Sequence, residues 1–321
     1  MRTLIVSLLA VTGLLAASPA LAMRQVRVWE VNVSSQAEPA VQAQAGLRQV
    51  LVRATGARDA ANDPALASVL AQAQQYVIAT RPAATGTATT LVFDAAALER
   101  DITAAGRSLW PSERPLLLIV LTGGPASGAF ETRRQVEGTL DATGNRRGQP
   151  IRVARPEALG LPVTGEIATD AALAAAQRLG ADAVIIGYGD AVPSGGVWRW
   201  TFAAPGVSES TWNGPLEEGV HGAADVFARN AQAFAALPET SILVEVEGVS
   251  GLKEYARVAE ALGSAGGVRS VLLAEAAGTH ATFTVQTRGG ADALQGSLAT
   301  NANFERIDPK AGGTIAFRFR P

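Results

Sequence analysis

The sequence predicts an α/β chain of the α+β kind, built as three small sandwich domains behind an export signal. Three observations carry this. Short apolar strands and amphipathic helical stretches alternate along the chain after residue 22. The element order restarts near residues 114 and 238. The chain has 321 residues, and at roughly 100–200 residues per domain that length holds two or three cores. The expected boundaries are 1–22 for the signal, then 23–113, 114–237 and 238–321.

Met1-Arg2 is a short positive start, residues 4–17 are apolar or small almost throughout, and Ala20-Leu21-Ala22 has the small-x-small form that signal peptidase reads. Cleavage after Ala22 would make Met23 the first residue of a periplasmic protein. The apolar run is short of the ~20 residues that span a bilayer comfortably. Its alternative is retention as an uncleaved anchor. No later segment approaches spanning length, so membrane contact is expected to be peripheral at most.

The first segment reads β-α-α-β-β-α. Val26, Val28, Val31 and Val33 alternate imperfectly, as in a strand. Ala40, Ala43, Leu47, Val50, Leu51 and Ala54 form one helical stripe, which Thr55-Gly56 ends. Asp63-Pro64 is an N-cap followed by proline at the first helical position. Residues 75–81 and 89–93 read as strands about a turn rich in proline, glycine and threonine. Asp94 caps a last helix with Leu98 and Ile102 inward, closed by Gly106.

In the second segment, residues 116–121 are a continuous apolar run, the pattern of a strand covered on both faces. A glycine loop leads to a helix near 130–140, and a short strand follows at 150–154. An alanine-rich helix at 171–179 is expected to be capped by Asp170 and ended by Gly180, before another buried strand at 183–187. Trp198, Trp200 and Phe202 alternate on a strand that residues 207–212 can pair, and Val220, Ala224, Phe227, Ala231 and Phe234 mark a long helix.

The third segment begins with a strand at 242–246. Ser250 is expected to cap a helix carrying Leu252, Tyr255, Ala259 and Leu262. Strands at 268–273 and 282–286, a helix at Leu294 and Leu298, and a hairpin over 304–307 and 314–319 complete it. This is the order of the ferredoxin-like split unit.

Several short signatures, in order, resemble the proteobacterial family called domain of unknown function 2066. They are Leu47-Arg48-Gln49-Val50-Leu51-Val52-Arg53-Ala54-Thr55-Gly56 with Asp59 behind it, then Phe93-Asp94, Leu109-Trp110 and Arg114-Pro115-Leu116-Leu117. Leu179-Gly180-Ala181-Asp182 before a strand and Trp198-Arg199-Trp200 complete the set. Residues 131–169 carry little of that pattern. The resemblance implies no catalytic residues. The middle segment is also similar, in element order alone, to the N-terminal α/β domain of the Tol-system propeller protein, which implies adaptor work.

Composition narrows the chemistry. The chain is 48% hydrophobic and 17% charged, has no cysteine, and carries a formal net charge of −2. Thiolate metal sites, disulfide frameworks and cysteine catalysis are excluded, and a broad nucleic-acid footprint is not expected. The loop at 123–128 follows a strand as a phosphate loop does, but Ala129 and Phe130 stand where lysine and Ser/Thr belong. Glu218-x-x-His221 is half of a di-metal pattern, and His280 is the one other histidine. Gly248-Val249-Ser250-Gly251 departs from a nucleophile elbow at Leu252. Glu217-Glu218 and Glu245/Glu247 read as exposed surface.

Two features remain as candidate interaction sites. Trp198, Trp200 and Trp212 can make an aromatic face for stacking sugars or peptides, or else core beneath the helix over 220–234. Arg146 and Arg147, like Arg133-Arg134, flank a polar stretch and can meet anionic lipid or cell wall, or else are solvated surface. The resulting expectation is a non-enzymatic periplasmic envelope adaptor with no metal or cofactor, whose partner is an envelope protein or cell-wall component. The alternative is a cell-wall hydrolase with its site between domains.

Overall fold

A computed structural model describes residues 24–83, 88–122, 130–189, 196–235, 237–298, 301, 303–309 and 315–320. The signal segment and the glycine loop at 123–128 lie outside the described residues. The chain is a mixed α+β protein, with several small sheets and eight α-helices among the described residues.

The first unit opens with β1 (Arg24–Gln25) and β2 (Glu30–Ser34), followed by α1 (Pro39–Thr55). After α1 the expected second helix is broken into 3₁₀ turns around α2 (Ala67–Ala71). The Asp63 side chain accepts from the Ala65 N–H and caps the entry, with Pro64 at the first position. Then come β3 (Val77–Pro82), β4 (Ala88–Phe93) and α3 (Ala95–Ala104), whose first turn Asp94 caps through Ala97 N–H. The sheet is antiparallel in the order β2-β4-β3. α1 lays Ala43, Leu47, Val50, Leu51 and Ala54 into its core with Leu91, Phe93, Leu98 and Ile102. Each fully buried leucine or isoleucine there contributes about 1.5–3 kcal/mol of transfer free energy.

β5 (Glu113–Arg114) pairs with β1, so the start of the first unit lies beside the entry to the middle one. The middle unit comprises β6 (Leu117–Thr122), α4 (Phe130–Arg147), β7 (Ile151–Ala154), α5 (Thr169–Arg178), β8 (Ala183–Tyr188), β9 (Trp198–Ala204), β10 (Val207–Gly214) and α6 (Glu218–Ala235). Its strand order is β10-β9-β8-β6-β7, with β6 parallel to β7 and β8 and the rest antiparallel. Leu118, Val120, Val184 and Ile186 face Ala172, Ala175 and Ala176 of α5. Leu117, Ile119 and Ile185 face Leu140 of α4 and Val220 and Ala223 of α6. The central strands are therefore apolar on both faces, as their unbroken runs require.

Two helix starts differ from expectation. α5 begins two residues earlier, at Thr169, with Ala168 as its cap and no side-chain cap bond, so Asp170 sits in the first turn and acts through the helix dipole instead. α7 (Leu252–Ser264) is capped by Gly251 with no side-chain bond, so Ser250 does not cap it.

The third unit continues from β11 (Glu239–Glu247) through α7, β12 (Val268–Ala277), β13 (His280–Arg288), α8 (Gly290–Leu298), β14 (Phe304–Ile307) and β15 (Ile315–Phe319). The split β-α-β-β-α arrangement is present, with β13 between β12 and β11. Its last position is filled by a hairpin. β15 runs parallel to β11, and β14 pairs outside it, making five strands in the order β12-β13-β11-β15-β14. Ile242, Val244, Val246, Phe283, Val285, Val258, Leu262, Leu294 and Leu298 close a core drawn from this unit alone.

Candidate functional site

The C-terminal end of α1 is where the first and middle units meet. Gly56 ends α1 in the left-handed region (φ 71°), its N–H bonding Val52 O. A Cβ there would stand 2.5 Å from the Ala228 Cβ of α6, so only glycine permits both the turn and the contact. Trp110 packs beside it on Ala224 and Ala228. Gln232 of α6 donates to Thr55 O at 2.7 Å.

This seam is built from arginine. Arg114 is wholly buried. It donates to the carbonyls of Pro111 (2.9 Å), Arg147 (3.0 Å) and Gly148 (2.7 Å) and to that of Arg53. Its guanidinium lies 3.7 Å over the Trp110 ring. No carboxylate among the described residues pairs with it. The carbonyl-rich C-terminal ends of α1 and α4 take that role. Desolvation, and then the neighbouring charges of Arg53 and Arg147, bring its pKa down to about 9, so it is charged at neutral pH. Arg53 donates to Asn145 O at 2.9 Å and Glu30 O at 2.8 Å, and burial lowers its pKa also.

In front of these lies an open cavity of about 210 Å³, lined by Arg48 and Gln49 of α1, Arg58, Arg146 and Arg147 at the end of α4, and His221 near the start of α6. Arg58 grips both Glu218 oxygens, at 2.8 and 2.7 Å, and its Nε donates to Asp225 at 2.7 Å. Arg147 donates to Asp225 (2.6 Å), Gly56 O (2.7 Å) and His221 Nδ1 (3.2 Å). Since a guanidinium only donates, His221 Nδ1 accepts and Nε2 carries the proton.

The residues singled out from sequence fall as follows. Trp200 is fully buried and Trp198 nearly so, stacked at 5.7 Å between centroids. Trp212 pairs opposite Trp200, is half-buried, and donates from Nε1 to Glu218 O. All three pack in the core beneath α6 with Phe202 and Phe227. The exposed aromatic face is therefore corrected: α6 covers it. Arg147 is corrected from a loop residue to a buried one in the last turn of α4, where it pairs with Asp225. Arg146, its neighbour, is exposed at the cavity. Glu218 and His221 turn to arginines rather than to a shared metal position, and among the described residues no cluster of three or more metal-binding side chains occurs. Glu247 pairs with Arg318 and His280.

Burial, then the charges of Arg147, Arg58 and Arg146, holds His221 at about pKa 4, against a weaker pull upward from Glu218. Arg147, Arg58, Arg146, Glu218 and Asp225 are the charges around it. A depressed folded pKa means the unfolded chain takes up a proton between about 6.5 and 4. The contribution to stability is therefore whole above 6.5 and falls as pH drops through that window. The slope is expected to stay under ~1.4 kcal/mol per pH unit, because solvent screens a partly exposed ring. Urea midpoints of the wild type and His221→Gln should converge on going from pH 7 to pH 4, if the ring is the source.

Residues 20–111 are similar to the family model described as Domain of unknown function (DUF8605). This overturns the resemblance to domain of unknown function 2066, a different family. The quoted signatures record local geometry that unrelated chains share. Leu47, Val50, Leu51 and Ala54 are a helix's buried face, and Gly56 and Gly180 are left-handed caps. No curated protein matches the chain. Among solved structures it is similar to a point variant of the PelC dodecamer from Paraburkholderia phytofirmans, at 17% identity and TM-score 0.16 over 36% of this chain and 84% of that one. A second PelC dodecamer structure from the same organism gives 17% identity and TM-score 0.16, covering 36% and 83%. Selenomethionine-substituted allophanate hydrolase from Kluyveromyces lactis gives 9% identity and TM-score 0.19, covering 76% and 66%. Likenesses this slight carry no argument about fold or function.

Proposed function

We propose that the chain is an exported envelope adaptor without enzymatic activity, working in the periplasm after cleavage at Ala22. The observation that supports this best is β12. It is a ten-residue strand at the edge of the third sheet, paired on one side by β13. Among the described residues no strand pairs its outer side, and Leu272 is 62% and Leu273 43% exposed. Sheet edges in isolated proteins are usually shielded by charge, proline or brevity. A long edge with two exposed leucines fits a partner that adds a strand and seats apolar side chains. Leu243 of β11 and Leu272 both lie opposite Thr284 of β13, on the face away from α7 and α8. No helix among the described residues is long and apolar enough to cross a membrane.

The test joins export to edge pairing. The chain recovered from the periplasmic fraction should begin at Met23 by mass spectrometry. Leu272→Lys/Leu273→Lys should fold with an unchanged urea midpoint yet lose the proteins that co-purify with the wild type. An intact Met1 start in the cytoplasm would refute export. Release of soluble fragments from purified cell wall would refute the adaptor reading.

A further inference from the structure

We propose that the strand covering β12 is the β12 of a second copy of this chain, so that the protein is a two-fold dimer with Leu272 on the axis. This rests on the reading of β12 as a covered edge and names what covers it; envelope partners then meet the dimer. The first argument is where the exposed leucines point. Leu272 lies opposite Thr284, on the face away from α7 and α8. Leu273 lies opposite Phe283, which is buried on the other face among Val258 and Leu262 of α7 and Leu294 of α8. A helix or loop laid on one face would cover one leucine and leave the other in water. A strand added at the edge presents side chains to both faces at once, so it covers both.

The second argument is self-complementarity. Opposed pairs in antiparallel strands alternate between hydrogen-bonded and non-hydrogen-bonded, so a two-fold between identical strands passes through a residue opposed to itself. With Leu272 on that axis, leucine meets leucine, Val271 meets Leu273, Ser270 meets Ala274 and Arg269 meets Glu275. Each of the last three pairs occurs twice. Arg269 and Glu275 are the two charged residues of β12, both are exposed, and neither has an ion pair or side-chain hydrogen bond among the described residues. Moving the axis to Val271 sets Arg269 against Leu273, and moving it to Leu273 sets Arg269 against Ala277, so neither register pairs the charges. The register with β13 shifts between Val268 and Ser270 and again between Leu273 and Glu275. The axis therefore falls in the regular stretch 270–273, and the long side chains of Arg269 and Glu275 reach across the offset at its ends. Pairing about a two-fold joins two five-stranded sheets edge to edge and closes, so no open edge is left on β12 to propagate a fibre.

The test uses the purified full chain with nothing added. The chain has no cysteine, so one introduced thiol reports the axis. Leu272→Cys sets two thiols opposite each other at about 4.5–5.5 Å between Cα atoms, a separation that a disulfide spans. Mild oxidation of dilute protein should convert it to a covalent dimer, while Leu252→Cys, at a position 82% exposed on α7, stays monomeric. In sedimentation equilibrium the wild type should associate to a dimer and no further. Arg269→Glu and Glu275→Arg should each weaken association about tenfold, because each reverses two symmetric pairs. The double variant Arg269→Glu/Glu275→Arg restores both pairs and should return to the wild-type constant, as should an equal mixture of the two single variants. The proposal is overturned if the wild type is monomeric at every concentration, if the double variant associates no better than the single ones, or if Leu252→Cys cross-links as readily as Leu272→Cys. A monomeric chain whose Leu272→Lys/Leu273→Lys variant still loses its co-purifying proteins overturns self-pairing and leaves the edge reading standing.

Discussion

Arg114→Leu is expected to destabilise the protein by about 3–5 kcal/mol. The leucine would fill part of the volume. It would leave the carbonyls of Pro111, Arg147, Gly148 and Arg53 buried without their donor. Each such orphan costs about 1–3 kcal/mol, partly offset because a buried cation is no longer desolvated. The loss also removes one of the links between the C-terminal ends of α1 and α4, leaving Arg53 on Asn145 O and Arg147 on Gly56 O, so the first and middle units should unfold less cooperatively. Arg114→Lys keeps the charge but not the fork that reaches both helix ends. It should fall between the wild type and leucine. Urea unfolding followed by circular dichroism reads both. A leucine variant within about 1 kcal/mol of the wild type, the scale of one ordinary hydrogen bond, would show that Arg114 does not hold the seam.

Trp200→Ala should cost about 3–5 kcal/mol as well, by a different route. The ring is fully buried between β8 and α6, where a Cβ on Gly187 would come within 2.5 Å of it and one on Gly219 within 2.7 Å. Gly187 and Gly219, the residues against its ring, have no side chain to relax into the space, so much of the cavity persists. Trp212→Ala, at the half-buried margin of the same cluster, should cost less. Thermal melts of both variants decide this. An unchanged melting temperature for Trp200→Ala would mean that the aromatic face is not core.

These two residues also show what is legible in the sequence. The first unit's α1 stripe and the unbroken strands of the middle unit can be read because burial imposes a local period. Trp198, Trp200 and Phe202 announce one aromatic face by alternation. Alternation tells which side chains share a face but not what covers it, and α6 comes later in the chain. Arg114 gives no signal, because its partners lie up to 61 residues away and it sits between Glu113 and Pro115 like any surface arginine. α4 reads short from sequence, which leaves Arg146 and Arg147 in an apparent loop. That helix has few apolar positions beyond Val136 and Leu140, so its last turns carry no stripe. Arg146, Arg147, Glu218 and His221 stand out singly in the sequence, but nothing there joins them in one cleft, since it is assembled from α1, α4 and α6, with Arg58 and Glu218 160 residues apart.

The adaptor account rests on β12 being the surface that a partner covers in the cell. Site-specific photocrosslinking in intact cells measures this directly. A photoreactive side chain at position 272 on β12 is compared with one at position 252, where Leu252 is 82% exposed at the start of α7. The account predicts a discrete covalent adduct from position 272 that disappears when Leu273 is changed to lysine, and none from position 252. No adduct at 272, or equal adducts at both positions, would contradict it.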